Sequence, residues 1–256
     1  MMNNLKKALT SKSELSLGSW ITIPNRTIAE IMKEAGFDWL CIDLEHTVIT
    51  IEQAGDLIAT IDSPNCSPLV RLSSNDSVQI KKVMDAGAHG IIVPMIRTRE
   101  DVLHAYKSMH YPNKGFRGVG LARAQKYGVA FPEYQSWLKE SAVLIAQIEH
   151  IDAVNNLEEL LTMDELDGYI IGPYDLSASM GIPGEFTHPD YLSAMKRIED
   201  AVQKYNKPGG LHIVEPDPEK LSESIDKGLR FIAYSVDIRM LDQACRKGLS
   251  SIKKRS

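Results

Sequence analysis

Short apolar runs alternate with amphipathic stretches along almost the whole chain. Eight runs, at residues 17–23, 39–43, 68–72, 90–94, 143–148, 169–171, 209–212 and 231–235, are continuous and mostly rich in β-branched and aromatic residues, the pattern of strands buried on both faces. After each comes a stretch with apolar residues at helical spacing: 27–35, 51–60, 77–86, 98–109, 151–161, 191–205, 218–227 and 238–249. In 151–161, for example, these are Ile151, Val154, Leu157, Leu160 and Leu161. Such alternation predicts parallel strands joined by helical crossovers, and Gly36, Gly87 and Gly228 stand where helices should end.

Eight such units in 256 residues predict an α/β fold, one (β/α)8 TIM barrel spanning residues 1–256 as a single domain. A doubly wound open sheet is the competing architecture. Its dinucleotide-binding form carries Gly-x-Gly-x-x-Gly after the first strand, and Gly18-Ser19-Trp20 offers no such loop. Residues 115–120, Gly-Phe-Arg-Gly-Val-Gly, are glycine-rich but follow no strand, and read as a lid over the barrel mouth. The longest irregular stretch, 110–140, belongs to the side away from an active site unless it folds back or reaches a neighbouring subunit.

Barrel enzymes place their chemistry where strands end and βα loops begin. Two apolar runs, 143–148 and 169–171, give way within a few residues to acids, Glu149 and Asp175. Adjacent parallel strands lie about 4.8 Å apart, so the two carboxylates can converge on one hard cation or share a proton. Alternatively, Glu149 caps its helix and Asp175 starts a turn. The other strand ends supply Asp43-Leu44-Glu45-His46, Arg71, Gln147, Tyr174 and His212. Arg71 lies within an apolar run and requires an anion, either a bound one or a fixed salt-bridge partner. His46 is a proton-transfer candidate or a solvated loop histidine. No lysine ends a strand, which argues against imine chemistry, and no Ser–His–Asp elbow is visible. The remaining set suits proton abstraction or carbon–carbon cleavage beside a carbonyl, with a metal as electron sink.

Composition narrows the partners. Apolar residues make up 43% of the chain, and the net charge of −5 with no basic stripe beyond residues 253–255 argues against nucleic acid or an anionic membrane as partner. That basic tail reads as solvated. Three scattered cysteines, the lack of a signal-type N-terminus and the lack of a run of ~20 apolar residues predict a soluble, cytoplasmic protein.

Several stretches together are specific: Gly36-Phe37-Asp38-Trp39-Leu40, Ile42-Asp43-Leu44-Glu45-His46, Val70-Arg71, Val93-Pro94-Met95, Arg117-Gly118-Val119-Gly120, Gln147-Ile148-Glu149 and Ile171-Gly172-Pro173-Tyr174-Asp175-Leu176-Ser177. Over nearly its whole length the chain resembles the metal-dependent class II pyruvate aldolases of the HpcH/HpaI family, within the phosphoenolpyruvate/pyruvate barrel superfamily. The resemblance implies a divalent cation, Mg²⁺, Mn²⁺ or Co²⁺, held by Glu149 and Asp175, with pyruvate chelating it. It further implies His46 as the catalytic histidine with Asp85 as the acid that raises its basicity, and Arg71 as stabiliser of the enolate. Gln147 would touch substrate or metal-bound water, and backbone amides near Gly172 and Tyr174 would bind the pyruvate carboxylate. The implied reaction is reversible cleavage of a 4-hydroxy-2-oxo acid to pyruvate and an aldehyde, with oxaloacetate decarboxylation through the same enolate.

Family members assemble as hexamers, trimers of dimers that exchange terminal helices, and the apolar face of 238–249 permits such a homo-oligomer. Tyr174 and Leu44 stand where many relatives have alanine and glycine. Taken as flanking the mouth, they imply a different acceptor aldehyde. An acyl-CoA lyase of the same superfamily would need a basic groove for adenine, and no sequence cue marks one. The intact Glu149, Asp175, Arg71 and His46 set speaks against a catalytically silent binding barrel.

Overall fold

The computed structural model describes residues 4–11, 14–205 and 207–253; Lys254 and Arg255 of the basic tail lie outside them. Eight strands, β1 (Ser16–Ile21), β2 (Trp39–Asp43), β3 (Ser67–Arg71), β4 (Gly90–Val93), β5 (Val143–Ile148), β6 (Gly168–Ile171), β7 (Gly209–Ile213) and β8 (Phe231–Val236), pair in sequence order. Every pairing is parallel, and β8 returns to β1, closing the expected barrel. The first strand stops at Ile21, two residues before its apolar run ends. There the Asp237 carboxylate accepts the Thr22 and Ile23 amides, each at 2.8 Å, and withdraws them from the ladder.

The helices in chain order are α1 (Asn4–Thr10), α2 (Arg26–Glu34), α3 (Ile51–Ile61), α4 (Ser77–Ala86), α5 (Arg99–Met109), α6 (Phe131–Ser141), α7 (Ile151–Asn155), α8 (Leu157–Leu161), α9 (Pro173–Ser179), α10 (Pro189–Tyr205), α11 (Pro218–Asp226) and α12 (Asp237–Lys253). Helix 151–161 is broken in two at Asn156, whose side chain donates to Arg97 O at 2.9 Å. Part of the irregular stretch forms α6. No helix among the described residues is long and apolar enough to cross a membrane.

Period-2 alternation sorts the strand side chains into two cores. Trp39, Cys41, Leu69, Val143, Ile145 and Ile170 fill the barrel interior, while Leu40, Ile42, Val70, Leu144 and Ile171 face the helices. Leu5 and Leu9 of α1 join the interior cluster with Trp39 at the start of β2, whose ring stacks on Phe231 with centroids 4.4 Å apart. That end of the barrel is therefore sealed. Gly18 lies against the same indole: a Cβ there would sit 1.9 Å from Trp39 Cδ2. Gly18→Ala should therefore cost about 3 kcal/mol by overpacking, read as a lower urea midpoint at unchanged m-value. An unchanged midpoint would mean that the ring moves aside freely.

The glycine-rich segment is not a lid over its own barrel mouth. The Arg117 guanidinium is buried, donating to Asp85 at the end of α4, to Tyr134 Oη at 3.0 Å and to Met109 O at 3.1 Å. The Phe116 amide bonds Lys107 O at 2.9 Å, so the segment is pinned to the C-terminal ends of α4 and α5. In a βα unit those ends lie at the strand N-terminal face, opposite the mouth.

Candidate active site

β2 and β3 end in register, Asp43 beside Arg71. Both side chains have the parity of Cys41 and Leu69 and so point inward, where Asp43 Oδ1 and Oδ2 accept Arg71 Nε at 2.9 Å and Nη2 at 2.8 Å. The backbone amides of Glu45 and His46 also donate to Asp43, at 3.0 and 3.4 Å. Burial alone would raise the Asp43 pKa, but the hydrogen bonds and charge of Arg71, with those amides, outweigh it and hold the carboxyl below its usual range. Arg71 Nη1 lies 3.2 Å from Glu45 Oε2, and its guanidinium carbon sits 4.4 Å from the Trp20 ring centroid. The arginine's anion is thus a fixed intramolecular pair, one of the two readings open from sequence. Even so, Arg71 lines a cavity of about 770 Å³ at this end of the barrel.

Glu149 follows β5 and is buried. Its Oε1 accepts the Met95 amide at 2.7 Å and its Oε2 accepts Gln147 Nε2. Met95 donates from a left-handed conformation, φ 55°, a strained state for a side-chain-bearing residue. Gly172 leaves room for the acid, since a Cβ there would lie 2.8 Å from Glu149 Oε2. Burial pushes the Glu149 pKa up to about 7; the Gln147 and Met95 hydrogen bonds lower it, and the charges of Glu45 and Asp175 raise it. Glu149 does not cap a helix, because His150 Nδ1 takes that role for α7 by accepting the Asp152 amide at 3.1 Å. Asp175 stands in the first turn of α9, exposed and lining the cavity.

A divalent cation fits this donor set. Two hard carboxylates come from adjacent strand ends, Glu149 is disfavoured as an anion by burial first and then by two neighbouring acids, and the buried Gln147 Oε1 has no hydrogen-bond partner. Among the described residues no group of three or more His, Cys, Asp or Glu forms a complete metal cage, so substrate and water oxygens would complete the shell.

The cavity brings together His46, Arg71, Gln147, Gly172, Tyr174 and Asp175 of the expected residues. His46 is exposed, with Nε2 3.7 Å from Glu45 Oε2. Asp85 does not join it. In this chain Asp85 pairs with Arg117, because α4 runs back from the mouth and delivers its last turn to the opposite end of the barrel. Leu44 is also not at the mouth: it is 7% exposed, shares the parity of Leu40 and Ile42, and packs in the outer core. The Gly172 amide is already donated to Ile148 O at 3.1 Å. A carboxylate must look instead to the first-turn amides of α9, at Tyr174 and Asp175, which have no intrahelical acceptor.

The sequence alone assigns no role to three further contributors. Trp20 shares the inward parity of Ser16 and Gly18, so counting along β1 would have found it. Glu45 carries a carboxyl pushed up to about 7, by burial first, with Arg71 lowering it and Asp43 and Asp175 raising it. His212, noted only as a strand-end residue, has its pKa pushed down to about 4 by burial and then by the Arg71 charge, and its Nε2 lies 3.2 Å from Ser235 O. It is neutral at pH 7.

The sequence model of the HpcH/HpaI aldolase/citrate lyase family matches residues 16–244. A hydroxypyruvate/pyruvate aldolase of Roseobacter denitrificans is 37% identical over 246 residues, 94% of this chain and 93% of that protein. A 4-hydroxy-2-oxo-heptane-1,7-dioate aldolase of Klebsiella pneumoniae is 36% identical over 243 residues, 94% of this chain and 90% of its own. Among solved structures, an HpcH/HpaI aldolase/citrate lyase family protein from Burkholderia cenocepacia superposes with a TM-score of 0.91 at 29% identity, covering 98% of this chain and 100% of that one.

Proposed function

Because the chain belongs to the HpcH/HpaI aldolase/citrate lyase family, we propose that it is a divalent-metal-dependent aldolase that reversibly cleaves a 4-hydroxy-2-oxo acid to pyruvate and an aldehyde, and that it also decarboxylates oxaloacetate. The observation that carries this reading is the buried Glu149, held by Met95 and Gln147 beside Asp175 at the ends of adjacent strands. Glu149 and Asp175 would hold Mg²⁺, Mn²⁺ or Co²⁺, which when bound supplies Lewis-acid polarisation of the keto group. Arg71, fixed by Asp43 and Glu45, presents a preorganised cation to the oxygen that gains charge as the carbon–carbon bond breaks. His46, exposed at the mouth, takes the proton of the C4 hydroxyl, and the first-turn amides of α9 receive the pyruvate carboxylate. A silent barrel would leave a raised, cation-ready carboxylate without a use. The three cysteines are free, which supports a reducing compartment such as the cytoplasm.

Chelator treatment should abolish pyruvate release from 4-hydroxy-2-oxo acids, and Mn²⁺, Co²⁺ or Mg²⁺ should restore it. Full activity of metal-free protein would defeat the proposal. Borohydride with pyruvate should leave no covalent adduct by mass spectrometry, because no lysine ends a strand.

We also propose self-assembly through α12. Ile238, Leu241, Leu249 and Ile252 are about half exposed or more, and their spacing puts them on one helical face. Burying such side chains is worth about 1.5–3 kcal/mol each, and a second copy exchanging the same helix would cover them, as in the hexamers the family resemblance implies. Light scattering should show an oligomer that Leu241→Glu with Leu249→Glu dissociates. A monomeric wild type at micromolar concentration would rule this out.

A further inference from the structure

We infer that the cavity takes an acceptor aldehyde bearing an aryl or bulky alkyl substituent, seated on a wall formed by Tyr174, Phe186 and Tyr191; this rests on the aldolase reading above. The three rings are contiguous: Tyr174 meets Phe186 edge-on with centroids 5.0 Å apart and an interplanar angle of 82°, and Phe186 meets Tyr191 at 5.3 Å. Tyr191 is buried at the root of the wall on α10, Phe186 is half-buried, and Tyr174 is 65% exposed at its tip, next in the chain to Asp175. All three line the cavity that holds Arg71 and Asp175, and Met195 and Leu211 extend the apolar lining. An aldehyde whose carbonyl lies beside Asp175 therefore has its substituent against aromatic faces and edges, where ring packing adds to the burial of apolar area.

The charges around this wall point the same way. Arg71 is engaged by Asp43 and Glu45, and His212 is neutral at pH 7, so neither offers a free cation to a second acid group near the reacting carbonyl. The remaining cations of the cavity, Lys220 on α11 and Lys227 directly after its end, are exposed. They define the rival acceptor, a semialdehyde with a terminal carboxylate.

The test uses the full-length, Mn²⁺-loaded protein with pyruvate as donor and phenylacetaldehyde, glycolaldehyde or succinic semialdehyde as acceptor. Deuterium exchange into the pyruvate methyl group is followed separately as a readout that needs no acceptor. The expected result is exchange without acceptor and a kcat/KM for phenylacetaldehyde about 10-fold or more above the other two, the discrimination one well-packed apolar group can supply. Tyr174→Ala, at an exposed position that folding tolerates, and Phe186→Ala should each bring that ratio to about 2-fold or less. Exchange with equal rates for the three aldehydes, or with succinic semialdehyde preferred and that preference lost in Lys220→Ala, would overturn the acceptor assignment alone. Absence of exchange in the wild type would overturn the aldolase reading, and the assignment with it.

Discussion

Glu149→Gln should lower kcat/KM for aldol cleavage by about 10³-fold, the equivalent of roughly 4 kcal/mol of transition-state stabilisation, and should abolish saturable Mn²⁺ binding measured by calorimetry. The amide retains an acceptor for the Met95 amide and fills the space beside Gly172, so the fold should survive while the charge is lost. A pH signature follows in metal-free protein. The Glu149 pKa is pushed up to about 7 from an ordinary 4.5, so the folded chain holds that proton more tightly than the unfolded chain. Its contribution to stability is fully present below the ordinary value and is lost as pH rises through about 7. With chelator present, wild type should therefore lose stability relative to Glu149→Gln between pH 5 and pH 8, measured as the difference in urea midpoints. Groups whose titration the substitution does not disturb cancel in that comparison. A difference that stays flat over this interval would show that Glu149 ionises freely in the fold, and unchanged Mn²⁺ binding would remove it from the metal site.

Strand-end residues were legible because parallel barrel strands have two simple rules, a shared direction and a period of two. Direction brought Arg71, Gln147, Glu149 and Asp175 to one face. Period adds which side each takes: Asp43, Arg71 and Gln147 have the parity of interior residues, and the same count turns Leu44 outward with Leu40 and Ile42. The family resemblance alone puts Leu44 at the mouth, and the period of two puts it in the outer core. The pairing of Asp85 with His46 came from the resemblance as well, and helix direction separates them within one chain. Other features left no local mark. The left-handed Met95 is set by the carboxylate that its amide reaches 54 residues away, and the break at Asn156 depends on a carbonyl 59 residues distant. Apolar periodicity continues through residues 151–161 regardless, which is why it predicts one helix there.

Arg71→Leu should damage catalysis and stability together, and a second substitution should separate the two. The guanidinium is held by two hydrogen bonds to Asp43, the approach of Glu45 and the Trp20 ring, which would preorganise it for the proposed role. Removing one such donor from developing negative charge typically costs about 10²–10³-fold in kcat, roughly 3–4 kcal/mol. The loss should appear equally in aldol cleavage and in pyruvate proton exchange, since both pass through the same charge development. In stability, the buried Asp43 carboxylate would be left without its partner, a change that typically costs about 3–5 kcal/mol. Adding Asp43→Asn to Arg71→Leu removes the orphaned charge while keeping an acceptor for the Glu45 and His46 amides. The double variant should recover most of the lost urea midpoint and none of the lost exchange rate. Were the double variant to recover exchange as well, the cation would be dispensable and Arg71 would serve the fold alone. Rate constants that hold in Arg71→Leu, with only the midpoint falling, would lead to the same conclusion.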